Sequence, residues 1–231
     1  MGSLELTLVG QSTVLIKLDS GIVILTDPWF ESYGFIRAVP IAMKPEEIPK
    51  CDLILASHKH IDHLDRAALR FAKERGTVFM GSRRAAKAAA RARIEDVRAM
   101  KPGDHDEVRG VRIFATLAYH PLAKDAVGFV IEAERRLYFS GDTRYDDNLA
   151  KEIRAFNVNA GLLQVACSRY FGKDDGMNLH DAARLAIEAD MPVAIPIHYQ
   201  VKGKTLDPRR FLELLPPGRG KILVPGKPLK L

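Results

Sequence analysis

Residues 58–63 read His-Lys-His-Ile-Asp-His and stand one serine beyond the apolar run Asp-Leu-Ile-Leu-Ala at 52–56. A buried strand therefore has to end where four side chains with free lone pairs gather, and the fold has to make room for them at that strand's tip. In an extended loop, residues two apart point to the same side, so His58 and His60 can grip one divalent ion. Asp62 and His63 can then turn to a second. The chain holds only seven histidines, three of them within these six positions. The plain alternative is a solvated loop with histidines by chance, and four ligand-type residues directly after a buried strand argue against it. No cysteine joins the motif, which weakens a purely structural zinc reading, because such sites commonly close with thiolates.

The flanking pattern places this motif in a strand-to-helix loop. Short β-branched runs at 4–9, 14–18 and 22–26, separated by turn residues, predict an antiparallel meander. Residues 27–45 hold Trp29, Phe30, Tyr33, Phe35 and Met43 without helical or strand periodicity and read as a long aromatic loop. After the strand at 52–56, residues 65–75 return to a helical pattern ending at Gly76. A second strand and helix follow at 77–80 and 82–93, then strands at 111–118, 126–132 and 136–139. Further on, a helix is expected at 147–156, a strand at 161–165, a helix at 179–189, a strand at 193–197, a helix at 208–215 and strand fragments at 222–224. Sheets packed face to face, with helices outside, suit this order. No repeat or linker divides the chain, so a single domain over 1–231 is expected.

Composition narrows the partners. The 35 Lys plus Arg against 29 Asp plus Glu leave +6, a modest excess that mildly favours an anionic substrate and disfavours nucleic acid. The basic, Ala-rich stretch at 82–98 has helical spacing and reads as a solvated helix face. Cys51 and Cys167 are too few for a disulfide framework, which fits a reducing compartment. With no signal-like N-terminus and no apolar run of membrane-spanning length, a soluble cytoplasmic protein is expected; a homo-oligomer is compatible with the sequence.

Three distant residues share the motif's setting. His120 follows the strand-like FATLAY and precedes Pro121, Asp142 follows RLYFSG, and His198 follows VAIPI. Each is therefore expected at a strand end, where loops gather. Taken singly, a structural role serves each as well, but their shared placement favours a joint one.

With these residues in view, the chain resembles the metallo-β-lactamase superfamily, in the branch that includes ascorbate-phosphate lactonase and many uncharacterised metal-dependent hydrolases. The resemblance runs through LTLVGQSTVLIKLDSGIVILTDPWF, SHKHIDHLD, AYHP, SGDT and IPIHYQ in that order. It implies an α+β, four-layer αβ/βα sandwich with two divalent metal ions at the sheet edge, zinc first, with manganese or iron as alternatives. It also implies that His58, His60 and His120 hold one metal, that Asp62, His63 and His198 hold the other, and that Asp142 bridges them. The implied activity is hydrolysis of a phosphodiester, lactone or related ester by a metal-bridging hydroxide, with Asp62 and Asp142 at the catalytic centre. Two departures stand out. Gln11 occupies a place where relatives often carry histidine, and Asp142 stands where zinc β-lactamases of the Cys type carry cysteine.

The remaining candidates have two readings each. Asp27 is either an acceptor for a ligand imidazole N–H or an aspartate opening a turn before Pro28. His180, in the first turn of the helix capped by Asn178, is either a neutral hydrogen-bond donor to developing negative charge or a surface residue at a helix start. Tyr33, Arg169 and Lys173 are candidates for substrate binding, together with Tyr170, Phe35 and Met43, or else ordinary loop residues. A different class of function remains beside the hydrolase: a metal-binding regulatory or interaction protein that keeps the site for folding.

Overall fold

The computed structural model describes residues 3–31, 37–48, 50–170, 172–200 and 205–231. The expected meander is present as β1 (Leu4–Gly10), β2 (Thr13–Leu18) and β3 (Val23–Thr26), each antiparallel to the next. After β4 (Leu53–Ala56) come α1 (Arg66–Glu74), β5 (Val78–Ser82), α2 (Arg83–Arg91) and β6 (Val97–Met100), and the strands of this stretch extend the sheet in parallel. A second sheet begins antiparallel with β7 (His105–Val108), β8 (Val111–Thr116), β9 (Gly128–Glu132) and β10 (Arg136–Phe139). It continues past α3 (Asp147–Phe156) with β11 (Ala160–Gln164), then past the small hairpin β12 (Arg169–Tyr170) and β13 (Lys173–Asp174) and α4 (Leu179–Glu188) with β14 (Val193–Ile197). The chain closes with α5 (Arg209–Leu212) and β15 (Leu229–Lys230).

The first sheet has the order β15-β1-β2-β3-β4-β5-β6 and the second β14-β11-β10-β9-β8-β7. Pleating sorts the apolar residues between layers. On β2, Val14 and Ile16 enter the large cluster shared with the second sheet, while Leu15 turns to the cluster beneath α1 and α2. On β4, Leu53 and Leu55 face the first cluster and Ile54 and Ala56 the second. That alternation is the period-2 geometry of a strand covered on both faces. The helices supply the covers: α1 buries Ala68, Phe71 and Ala72, α2 Ala85, Ala86 and Ala89, α3 Leu149, Ala150 and Ile153, and α4 Ala182, Ala183, Leu185 and Ala186. The result is the α+β four-layer αβ/βα sandwich.

Two expectations need correction, and two strands were not expected. Residues 222–224 form no strand. The contact near them is a single parallel bridge between Ala194 and Gly220, and a turn at Pro225-Gly226 leads on to β15, which pairs with β1 instead. The last helix covers only Arg209–Leu212 and unwinds into turns by Pro216. The strands β6 and β7 went unanticipated because each closes a sheet edge and carries exposed or half-buried polar residues that blur the alternation.

Candidate metal centre

Strand direction gathers the site. β3 and β4 run parallel, as do β10, β11 and β14, and β8 is aligned with β10 because both lie antiparallel to β9. Asp27 follows β3, His58 follows β4, His120 lies beyond β8, Asp142 follows β10 and His198 follows β14. All five therefore sit at carboxyl ends of strands, on the rim where the two sheets meet. Ser57 O accepts from the Val127 amide at 3.1 Å and ties the rims together. Gly141 permits the close approach: its φ is +54°, and a Cβ there would lie 2.5 Å from Ser57 Cβ. Asp27 and His198 also hold left-handed backbone, at φ 35° and 58°. For residues other than glycine this costs on the order of 1–3 kcal/mol each, a strain that clusters at functional sites.

Two sets of side chains result. In one, His60 Nδ1 lies 2.9 Å from His58 Nε2 and 3.2 Å from His120 Nε2. In the other, Asp142 Oδ2 is 3.1 Å from His63 Nε2 and 3.4 Å from His198 Nε2, while Asp62 Oδ2 is 3.7 Å and 3.6 Å from the same two nitrogens. Asp27 is fully buried and accepts from His63 Nδ1, from the Ser57 amide and from the Ser57 hydroxyl, each at 2.6 Å. Because the Ser57 hydroxyl donates to Asp27, it can only accept from His58 Nδ1, 2.9 Å away. These bonds put the proton of both rings on Nδ1 and leave Nε2 of His58 and His63 as lone-pair donors facing inward.

Burial and charge divide the imidazoles. Burial pushes His58 well below the ordinary histidine value, lowers His60 and takes His120 down to about 4. Burial also opposes protonation of His63 and His198, but Asp142 and Asp62 outweigh it and hold both above the ordinary value. In return, these imidazoles keep the Asp62 and Asp142 carboxyls below the usual carboxylate range despite their burial. Burial raises Asp27, against the pull of His63 and Ser57.

The donor set fits divalent ions. His63 Nε2, His198 Nε2 and Asp142 Oδ1 are buried without a hydrogen-bond partner, although such groups in a folded interior are nearly always satisfied. The ligand atoms of His58, His60 and His120 lie within 4.8 Å of one another, and so do those of Asp62, His63 and His198. Nitrogen and carboxylate donors without thiolate suit zinc, manganese or iron.

Among the described residues, none of the other sequence candidates shares a hydrogen bond or ion pair with this cluster. His180 is exposed, and lines a groove of about 390 Å³ with Cys167, Leu206 and Arg210. Arg169 is exposed and turned back on its own hairpin, donating to Gly172 O at 3.3 Å and standing 3.9 Å from Asp174. Tyr33 and Phe35 lie outside the described residues, as do the side chains of Tyr170 and Lys173. Met43 is half-buried and packs under α1 and α2.

Sequence reasoning missed several neighbours of the site. Ser57 was open to view, since it adjoins the motif. The backbone N–H groups of Gln11 and Gln200 each donate to the other's side-chain Oε1, at 3.4 and 3.3 Å, and the Gln11 backbone carbonyl accepts from the His198 amide at 3.1 Å. Half-buried Asp175 follows the small hairpin and accepts from the Ser168 amide; its charge is felt at His60, and burial raises its carboxyl. Arg37 carried no signal at all.

Residues 23–199 match the model of the beta-lactamase superfamily domain. A UPF0173 metal-dependent hydrolase of Korarchaeum cryptofilum is 31% identical over 209 residues, covering 87% of this chain and 86% of the relative. Another, from Thermoplasma acidophilum, is 29% identical over 90% of this chain and 91% of its own length. Among solved structures, the metallo hydrolase Igni18 of Ignicoccus hospitalis superposes with a TM-score of 0.81 at 20% identity, covering 99% of this chain and 98% of its own. An isothiocyanate hydrolase from Delia radicum gut bacteria gives 0.82 at 18% identity, over 97% and 98%. Both structural likenesses speak to the fold.

Proposed function

The chain belongs to the beta-lactamase superfamily, among relatives named metal-dependent hydrolases, and from that premise we propose a binuclear metal hydrolase acting on a small anionic ester, either a phosphodiester or a lactone. His58, His60 and His120 would hold one ion and Asp62, His63 and His198 the other, with Asp142 between them. The observation that carries this reading is the pair of facing ligand sets beside Asp142, whose Oδ2 looks onto His63 and His198 while its buried Oδ1 lacks a partner. Divalent ions bound there supply Lewis acidity and bring a water's pKa toward neutrality.

The chain's own residues do the positioning. Asp27 and Ser57 fix one imidazole of each set in the Nδ1–H form, so that neither ring rotates away when substrate arrives. Asp62 and Asp142 stay ionised near neutrality, and Asp142 Oδ1 is an acceptor with capacity for a water proton. No serine or cysteine nucleophile is required. The substrate's anionic character rests on the net +6 charge and on the cationic side chain considered below. We read residues 1–231 as one domain and the setting as cytoplasmic, the latter in keeping with two cysteines outside any disulfide.

The test is a panel of phosphodiesters and lactones assayed on zinc- or manganese-loaded protein. Turnover of at least one class is expected, with a loss of 100-fold or more in His60→Ala and Asp142→Ala. Turnover untouched by either substitution would refute the assignment.

A further inference from the structure

Among the described residues outside the metal cluster, four of the seven buried polar side-chain atoms without a hydrogen-bond partner belong to two adjoining segments. Gln11 Nε2, Ser12 Oγ, Trp29 Nε1 and Arg37 Nε are all such atoms, and they come from just two segments, the β1–β2 turn and the loop after β3. Close contacts knit the segments together. The Arg37 guanidinium lies 3.6 Å over the Trp29 ring and donates through Nη2 to Trp29 O. The Trp29 amide donates to Thr13 Oγ1 at 3.0 Å, and a Cβ at Gly10 would come within 3.1 Å of Arg37 Nη1.

The chemistry of the set is one-sided. An indole N–H and a guanidinium Nε–H only donate, and a serine hydroxyl donates at will. Gln11 could in principle be turned around, but its Oε1 accepts from the Gln200 amide at 3.3 Å, and reversing the amide would set two N–H groups against each other. Its Nε2 is therefore a donor too. On these two adjoining segments, four buried donors find no acceptor among the described residues.

Arg37 sharpens the point. It is 9% exposed and has no carboxylate within 4.0 Å among the described residues. The nearby acids are committed elsewhere. Asp65 Oδ2 accepts from the Phe30 and Glu31 amides at 2.9 and 2.6 Å, and its Oδ1 from Ala68 at 2.7 Å, while Asp62 faces His63 and His198. Burial lowers Arg37 to about 10, so it remains charged near neutrality. Asp65 and Asp62 attract it only from beyond ion-pair distance, and a buried cation without a direct ionic partner is costly unless an anion completes it. The position is also next to the metal centre, since Gln11 O holds the His198 amide.

We propose that Arg37, with Gln11, Ser12 and Trp29, forms an oxyanion-recognition site that holds a carboxylate or phosphate group of the substrate beside the metal centre. This deepens the hydrolase reading and rests on it for the word substrate; the oxyanion site itself does not. Guanidinium Nε and flanking N–H donors match a planar or tetrahedral group with several equivalent oxygens. Trp29 supplies a rigid floor for the guanidinium, and the substrate would be sorted by the presence of that second anionic group.

Calorimetric titration of metal-loaded protein with inorganic phosphate and with acetate tests the proposal. Arg37→Met is expected to weaken binding of the preferred oxyanion at least ten-fold, with Arg37→Lys recovering part of the loss. Trp29→Phe keeps an aromatic six-membered ring under the guanidinium and removes the N–H donor with the pyrrole half of the indole; a loss of about three-fold is expected, and this variant decides the matter if the Arg37 variants do not fold. Whichever oxyanion binds more tightly identifies the substrate's group. Affinities equal to wild type in folded Arg37→Met, or in Trp29→Phe where Arg37→Met does not fold, overturn the site. Kinetics separate the two readings. If esters are hydrolysed and KM does not rise in Arg37→Met, the oxyanion site falls and the hydrolase stands. If no ester is turned over but Arg37→Met still weakens oxyanion binding, the hydrolase falls and the site stands.

Discussion

His63 Nδ1 lies 2.6 Å from Asp27 Oδ2, a bond between two wholly buried side chains that stand 36 positions apart in the chain. Through Ser57 the same carboxylate oxygen also sets the ring of His58, so one aspartate orients an imidazole in each of the two ligand sets.

Asp27→Ala is therefore expected to lower zinc affinity at both sets, by about 10–100-fold, the range seen when an orienting partner of a metal-bound histidine is lost. Competition against a chromophoric chelator measures it. An affinity equal to wild type would show that the rings need no such partner.

The two sets should respond differently to pH. His63 and His198 are held above the ordinary value by Asp142 and Asp62 despite burial, so an ion competes with protons there at a higher pH than at an ordinary histidine. His58, His60 and His120 are lowered by burial, and His120 stays neutral until about pH 4. As pH falls, zinc should leave the Asp62–His63–His198 set first and the three-histidine set later. Bound zinc followed between pH 8 and pH 4 should fall in two steps, with His198→Ala removing the upper one. Loss from the three-histidine set first would contradict this order.

Gly141→Ala combines left-handed strain with a Cβ placed 2.5 Å from Ser57 Cβ. A stability loss of about 2–4 kcal/mol is expected, read as a lower urea midpoint at unchanged slope. Gly218→Ala is the control, since its φ is +82° but nothing lies within 4 Å, and it should cost only about 1–2 kcal/mol. Equal losses in the two variants would mean that the packing against Ser57 contributes nothing.

Burial pushes the Cys51 thiol up to about 12, and Thr77 and Leu53 do not offset it. Because the thiolate is the reactive form, Cys51 should resist a thiol reagent at pH 8 until the protein unfolds. Mass mapping of the labelled native chain checks this, and rapid labelling at Cys51 would contradict it.

The motif after β4 and the strand-end positions of His120, Asp142 and His198 were legible because apolar runs mark strands and ligand-type side chains interrupt them abruptly. Asp27 was legible as one of two readings, and the structure selects the acceptor of the His63 N–H. Gln11 was legible only as a departure, and Arg37 and Gln200 not at all, since each acts through contacts that only the assembled sheets create: a cation over Trp29, and backbone-to-side-chain bonds that join Gln11 and Gln200 across 189 residues. The edge strands β6 and β7 escaped notice for a local reason, their polar and exposed residues masking the alternation. At 222–224 an apolar pattern misled, because Leu223 is buried without pairing into a strand.

The central claim is that two ligand sets, one on each side of Asp142, each hold an ion. Zinc content per folded chain, measured by elemental mass spectrometry after loading and desalting, tests it most directly in wild type, His60→Ala and His198→Ala. Two ions in wild type and one in each variant are predicted. Variants that retain as much zinc as wild type would contradict it.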